Sequence, residues 1–199
     1  MIGIERLLAG FNFHLGRGQS GDTSKLSEIG RTLGYEVETL EAVKVKDEVI
    51  SSSRVREYLR GGEVNKANQF LGRVYNLTGK VIHGENRGEK IGIPTANLDI
   101  SMDRLIPGNG VYATRALVEG ERYSAVTNIG VRPTFENPLP SPRVEPHLLD
   151  TDKRLYDETI TLEFIEFLRP EIKFPDVKAL VDQIRLDIHK TREILAREP

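Results

Sequence analysis

"HGENRGEKIGIPTANL", residues 83–98, follows three glycines and a run of mixed charges with a short apolar step and then Pro-Thr-Ala-Asn. A plain hairpin would need only one or two turn residues. Glycines at 84, 88 and 92 allow a backbone approach that side chains would block, and exposed N–H groups there would hold phosphate oxygens. The stretch is not a Walker A loop, because the spacing of Gly84, Gly88 and Lys90 does not fit and no Ser or Thr follows the lysine. It is not a dinucleotide fingerprint either, and on glycine count alone a mobile hairpin loop is the plainer reading. Pro94 fixes its own φ and stiffens the backbone ahead of Thr95. Thr95 and Asn97 point to the same side if the segment is extended, and their oxygens are hard ligands suited to Mg²⁺ and its phosphates. A turn in which both residues merely satisfy local backbone groups is an equal alternative.

Around this stretch lie 199 residues, room for one ordinary domain or one plus a small partner. A net charge of −2 gives no field to gather nucleic acid or an anionic membrane, so neither is expected as a partner. The absence of cysteine excludes disulfides, thiolate metal sites and cysteine nucleophiles. No basic-then-apolar leader opens the chain and no apolar run reaches membrane-spanning length, so a cytoplasmic protein is expected.

Two textures meet near residue 72, dividing the chain into segments 1–72 and 73–199. In the first, Tyr35–Ile50 reads as strand-like pieces, and "SSSRVREYLRGGEVNKANQFLG" as helix, Gly-Gly break, helix, with serines available to cap the first. The second is a succession of short strands, among them Leu77–His83, Val111–Val118, Tyr123–Ile129 and Thr159–Leu168, as in a barrel or sandwich. Asp176 then caps a final helix whose apolar positions are Val177, Leu180, Val181, Ile184, Ile188, Ile194 and Leu195.

In "PRVEPHLLD" (Pro142–Asp150), Glu145 sits among apolar neighbours, where partial burial would raise its proton affinity and suit a general base. An edge-strand glutamate in water is the bland alternative, and the ordinary one for a lone Glu. The four histidines show no metal-ligand spacing. "ISSSRVR" (Ile50–Arg56) places three hydroxyls and two arginines at a helix start, an anion site or simply a capped helix with solvated arginines. His14-Leu15-Gly16 is followed by Arg17 rather than a second histidine, leaving a basic glycine-rich loop.

Taken together, residues 74–197 resemble the riboflavin kinase module of bacterial bifunctional riboflavin kinase/FAD synthetases. The matching blocks are "GKVIHGENRGEKIGIPTANL", "GVYA", "NIGVRPTF", "VEPHLLD", "LYDETITLEFIEFLRPEIKF" and the last helix. Residues 10–72 resemble the second half of that family's adenylyltransferase domain through "GFNFHLGRGQSGD" and "ISSSRVR". The resemblance implies an α+β chain: a six-stranded antiparallel Greek-key β-barrel with a C-terminal helix, preceded by a partial α/β, Rossmann-like nucleotidyltransferase segment. It implies transfer of the ATP γ-phosphate to riboflavin, giving FMN and ADP. The loop Gly84–Gly92, with Arg87, Gly88, Lys90 and Pro94, would cover the nucleotide, and Thr95 and Asn97 would hold Mg²⁺ and phosphate. Glu145 would take the substrate hydroxyl's proton, and Asn128 and Arg132 would reach the flavin. Ser51, Ser52, Ser53 and Arg56 would be the remnant of an adenylyltransferase phosphate site.

Three departures stand out. Pro146 follows the base directly and implies an edge strand or bulge. Asp157 replaces the family's usual glycine, and "ENPLPSP" (residues 136–142) is unusually proline-rich. The chain also starts beyond the family's His-x-Gly-His motif, so little or no FAD synthesis is expected, with self-association through the incomplete N-terminal sheet as a corollary. The alternatives are a bifunctional kinase/adenylyltransferase whose missing half is supplied elsewhere, and a non-catalytic flavin-binding barrel.

Overall fold

The computed structural model describes residues 3–84, 88–131 and 142–197. Arg87, Arg132 and the side chain of Lys90 lie outside the described residues, as does most of the proline-rich "ENPLPSP". The chain forms two compact units, residues 1–50 and 51–199.

In the first unit, β1 (Arg6–Gly10) and β2 (Glu36–Leu40) pair in parallel through α1 (Thr23–Leu33), and β3 (Lys44–Val45) and β4 (Glu48–Val49) form a small hairpin. Asp22 caps α1 by accepting from the Lys25 N–H at 2.8 Å, and Gly34 ends it at φ 80°. The hairpin turns on Lys46 and Asp47, both at positive φ as a two-residue primed turn requires. One parallel β-α-β step is as much of the expected α/β segment as these residues form.

The second unit opens with α2 (Ser52–Arg60) and α3 (Val64–Leu71). The sequence reading grouped both helices with the N-terminal segment 1–72, whereas compactness places them in the second unit. Asn68 of α3 donates to the Phe164 carbonyl at 2.9 Å and accepts from the Tyr75 N–H at 2.7 Å, joining the helix to two barrel strands. Gly108 donates to the Leu59 carbonyl at 2.8 Å, docking the end of α2 on a barrel loop. Ser51 caps α2, and Tyr58, Leu59, Val64, Ala67 and Phe70 supply the buried face of the pair.

The barrel strands are β5 (Tyr75–Ile82), β6 (Asn97–Ile100), β7 (Gly110–Val118), β8 (Glu121–Val131), β9 (Pro142–Leu148) and β10 (Thr159–Arg169), closed in the order β10-β5-β6-β9-β8-β7. Strands β7, β8 and β9 run as a meander and β10 returns beside β7, a Greek-key crossing. Alternation sends Leu77, Val81, Leu98, Ile129, Val144, Ile160 and Leu162 inward, all buried. The hydroxyls of Thr114 and Thr127 satisfy one another inside at 2.7 Å. Burial pushes the Tyr112 phenol up to about 12, and its hydroxyl donates to the Gly108 carbonyl.

The outer face of β7, β8 and β10 is covered by α4 (Val177–Leu195), capped by Asp176, which accepts from the Ala179 N–H at 2.8 Å. Ile188, Ile194 and Leu195 meet Val111, Ala113, Val126, Leu149 and Ile165 there. Val177 is 59 % exposed and does not belong to this stripe, contrary to the sequence reading. Two register shifts in β10 turn Ile165 and Leu168 toward α4.

Across this interface lies an ion pair that no periodicity announced. Arg169 grips the buried Asp187 with Nε at 3.1 and 3.0 Å and a terminal nitrogen at 2.8 Å, while Gln183 donates at 3.0 Å. Removing one partner leaves a buried charge, so Arg169→Ala should lower unfolding free energy by about 3 kcal/mol in urea titration. The paired replacement Arg169→Met with Asp187→Leu should recover most of that loss.

Candidate active site

The sequence-selected residues on the barrel converge through strand register. β8 and β9 pair without interruption, and Asn128 stands directly opposite Glu145. β6 meets β9 at Leu98↔Val144, and one step along that antiparallel register brings Asn97 beside Glu145. Directly opposed residues share a face, so Asn97, Glu145 and Asn128 form one row across three neighbouring strands. Val144, Pro146 and Leu148 point into the barrel and are buried, which places the row on the outer face with Glu145 half-buried. Val111, opposite Asn128 on β7, continues the row beneath α4.

Pro146 is not at an edge and makes no bulge, which corrects the sequence reading: β9 is flanked by β8 and β6, and its register with β8 is continuous. The Pro146 carbonyl accepts from the Ala96 N–H at 2.9 Å, so the missing Pro146 N–H faces β6, where a single ladder pair forms. A proline fits there because little pairing is forgone.

Pro94 and Thr95 extend this seam. Ala96 is buried while Thr95 is exposed and Asn97 half-buried, the alternation of an extended segment that sets Thr95 and Asn97 on one side. His147 Nδ1 lies 2.6 Å from the Pro94 carbonyl. A carbonyl accepts, so this nitrogen carries the proton, and the imidazole ties β9 to the shelf.

The three glycines of the opening stretch have distinct work. A Cβ on Gly84 would stand 2.0 Å from Asn97 Nδ2, so a side chain there would displace the Asn97 amide from the row. A Cβ on Gly88 would stand 2.1 Å from the Ile93 carbonyl oxygen, whose own N–H donates to the Gly88 carbonyl at 2.8 Å. Gly92, at φ 74°, ends a one-turn 3₁₀ helix over Glu89–Ile91. Gly84 and Gly88 therefore lie against Ile93–Asn97.

Beside the loop's root, His83 stacks on Tyr156 with ring centres 4.3 Å apart. Asp157 lies at φ 67°, the conformation that the family's glycine would favour, and pairs with Lys80 at 2.8 Å. That hydrogen bond and charge hold the Asp157 carboxyl below, and the Lys80 ammonium above, their ordinary ranges. Ser51, Ser52, Ser53 and Arg56 lie elsewhere, at the start of α2, where Ser51 accepts from the Arg54 N–H at 3.2 Å. Sequence reasoning missed Glu171, which accepts from Asn128 Nδ2 at 3.4 Å, because a glutamate in a strand-to-helix connection carries no local signal. Among the described residues no cluster of three or more acidic or histidine side chains could hold a metal alone. Among the described residues no helix is long and apolar enough to cross a membrane.

Residues 71–195 match the riboflavin kinase (flavokinase) family. The chain belongs to the riboflavin kinase family. Residues 1–54 match the FAD synthetase family. Bifunctional riboflavin kinase/FMN adenylyltransferases of Listeria monocytogenes and Bacillus subtilis are 35 % and 37 % identical over 98 % and 94 % of this chain. The chain spans about three fifths of those relatives, 61 % and 59 % of their length. A crystal structure titled macrolide-efflux protein from Streptococcus pneumoniae superposes with a TM-score of 0.83 at 31 % identity, covering 92 % of this chain and 58 % of that one. The kinase match begins at residue 71, close to the change of texture at 72, whereas compactness divides the chain at residue 50.

The positive φ at Asp157 sets a stability order. Asp157→Gly should unfold at a higher temperature than Asp157→Ala: both lose the Lys80 partner, and only glycine takes the left-handed backbone without a Cβ penalty. Because the folded carboxyl is held low, the pair's contribution is present at neutral pH and disappears as acidification passes through that lowered value. Melting curves from neutral to acidic pH read both effects.

Proposed function

We propose that this protein is a riboflavin kinase that transfers the γ-phosphate of ATP to the 5′-hydroxyl of riboflavin, yielding FMN and ADP. The observation that carries the reading is the row Asn97–Glu145–Asn128 beside the stiff Pro94–Thr95 shelf, with Gly84 and Gly88 lying against Ile93–Asn97. Phosphoryl transfer asks for positioning, charge neutralisation and a base rather than covalent catalysis. Glu145 accepts the proton as the ribityl oxygen attacks phosphorus and the bond to the ADP oxygen breaks. Thr95 and Asn97 offer two neutral oxygen donors on one side, a set that suits Mg²⁺ because this ion keeps several waters and takes phosphate oxygens. When bound there, Mg²⁺ neutralises charge developing on the transferred group. The backbone of Gly84 and Gly88–Gly92, with Arg87 and Lys90, closes over the phosphates, and Arg132 contributes on the flavin side. The cytoplasm, where ATP is plentiful, is the compartment this reading assigns.

Incubation with riboflavin, ATP and Mg²⁺, followed by chromatography of the flavins, tests the proposal. The protein should make FMN, and Glu145→Gln should slow turnover by about a hundredfold or more with unchanged circular dichroism. Full activity in that variant would remove Glu145 as the base, and riboflavin returned unchanged by the wild type would favour a flavin-binding role instead. Thr95→Ala should raise the Mg²⁺ concentration for half-maximal rate several-fold.

A bifunctional enzyme is the second reading, favoured by the FAD synthetase match at residues 1–54, and FAD appearing after FMN would establish it. Self-association belongs to the same proposal. The first unit's two-stranded parallel sheet leaves Leu8 and Leu40 exposed, with Phe11, Phe13 and Leu15 exposed in the same unit. Sedimentation at rising concentration should show a dimer; a monomer throughout would refute the association.

A further inference from the structure

Among the glycines of the barrel strands, Gly130 faces a carboxylate, whereas Gly79 faces the Asp99 backbone and the Ile100 side chain. Gly130 lies inside β8, paired with Arg143, at an extended φ that any residue adopts. Its missing side chain therefore serves space, not conformation. The space is filled by one group: a Cβ on Gly130 would meet Glu171 Oε1 at 2.2 Å, Cδ at 2.8 Å and Oε2 at 3.0 Å. The carboxylate thus lies against the bare backbone of Gly130, two residues along the same strand face from Asn128, and accepts from Asn128 Nδ2 at 3.4 Å. Glu171 follows Pro170 in the connection from β10 to α4, and the preceding Arg169 is held by Asp187. The segment is therefore anchored immediately before the carboxylate.

We propose that Glu171 is a positioning residue for the transfer, holding the Asn128 amide in the one orientation that offers Oδ1 to a hydroxyl of the polyol substrate. An unrestrained asparagine can turn either its donor or its acceptor to a ligand. An ionised carboxylate only accepts, so it engages Nδ2 and assigns the oxygen to the substrate side. The substrate must then donate, as a sugar-alcohol chain does. Asn128 stands opposite Glu145, which puts this acceptor next to the proposed base. The inference rests on the kinase reading of the same row.

Three single substitutions and one double variant test it. Glu171→Ala should raise the KM for riboflavin about tenfold while changing kcat less than threefold, the effect of one charge-assisted hydrogen bond on substrate orientation. Gly130→Ala should do the same, because its methyl displaces the tip of a flexible side chain, and the double variant should be no worse than either single one. Glu171→Gln, whose amide can donate as well as accept, should recover only part of the affinity, and full recovery would overturn the role of the carboxylate. Melting temperatures of all three should stay near the wild-type value. An unchanged KM in Glu171→Ala, or fully additive effects in the double variant, would overturn the proposal. Independently of turnover, the side-chain amide NMR signal of Asn128 in the ligand-free protein should move in Glu171→Ala. No movement would show that the contact is absent even in an active kinase. If the wild-type protein makes no FMN, the kinase reading falls and Glu171 loses this role, while a shifted Asn128 signal would still report the contact itself.

Discussion

The barrel closes at one seam. Five of its six strand junctions are built from runs of ladder pairs, whereas β6 meets β9 at Leu98↔Val144 alone. The Ala96–Pro146 hydrogen bond and the contact of His147 with the Pro94 carbonyl carry the joint past the end of β6. A closed barrel has no edges, so the register at this joint is constrained by every other strand around the ring. A slip of one residue would send Leu98 or Val144 outward and turn Asn97 or Glu145 into the core. Burial of the apolar inner face thus aligns the polar row on the outer one. The side chains proposed for chemistry owe their juxtaposition to residues that never face a ligand.

A seam with little pairing also gives a site its room. Where strands pair fully, both backbone edges are consumed by the ladder. Beside β6 and β9 the chain instead leaves the sheet after Ile82 and returns through the Pro94 shelf. Proline at 146 and proline at 94 lie on the two sides of this opening, each lacking a donor where the ladder stops. Glycine does the converse work: Gly84 and Gly88 bring backbone within contact of Asn97 and Ile93, which a side chain at either position would prevent.

Much of this was legible in the sequence, and the misses have physical reasons. Four strands, the final helix with its Asp176 cap, and the helix pair after Ile50 followed from periodicity and capping. β6, at four residues, is too short to show a period, and β9 is interrupted by Pro146; both entered only through the resemblance. The resemblance, rather than any spacing, also joined Thr95, Asn97 and Glu145, which lie some fifty residues apart and meet only through register. Pro146 was misjudged because a proline was weighed as though both sides of its strand had to be fully paired. Val177 fitted the helical stripe but falls at the first turn of α4, where the helix is exposed. Neither the Arg169–Asp187 pair nor the Glu171–Asn128 contact has a local signature, since charged residues at a strand end and on a helix normally read as solvated.

The discordance between residue 50 and residue 71 has a consequence for how the two halves of the chain are related. The FAD synthetase match ends at residue 54 and the kinase match begins at 71, leaving most of α2 and the body of α3 in neither. By packing, those helices belong to the barrel: Asn68 bridges the Phe164 carbonyl and the Tyr75 N–H, and Leu59 receives the Gly108 N–H. A Cβ on Gly108 would meet the Arg60 carbonyl at 2.3 Å, so the contact requires glycine in the barrel loop as well as the Gly61-Gly62 break between the helices. The "ISSSRVR" motif therefore begins on the last residue of the first unit and continues as the capped first turn of a helix fixed to the second. Ancestry divides the chain in one place and burial of apolar surface in another. The helix pair lies mostly between the two family matches, and its packing is on the barrel.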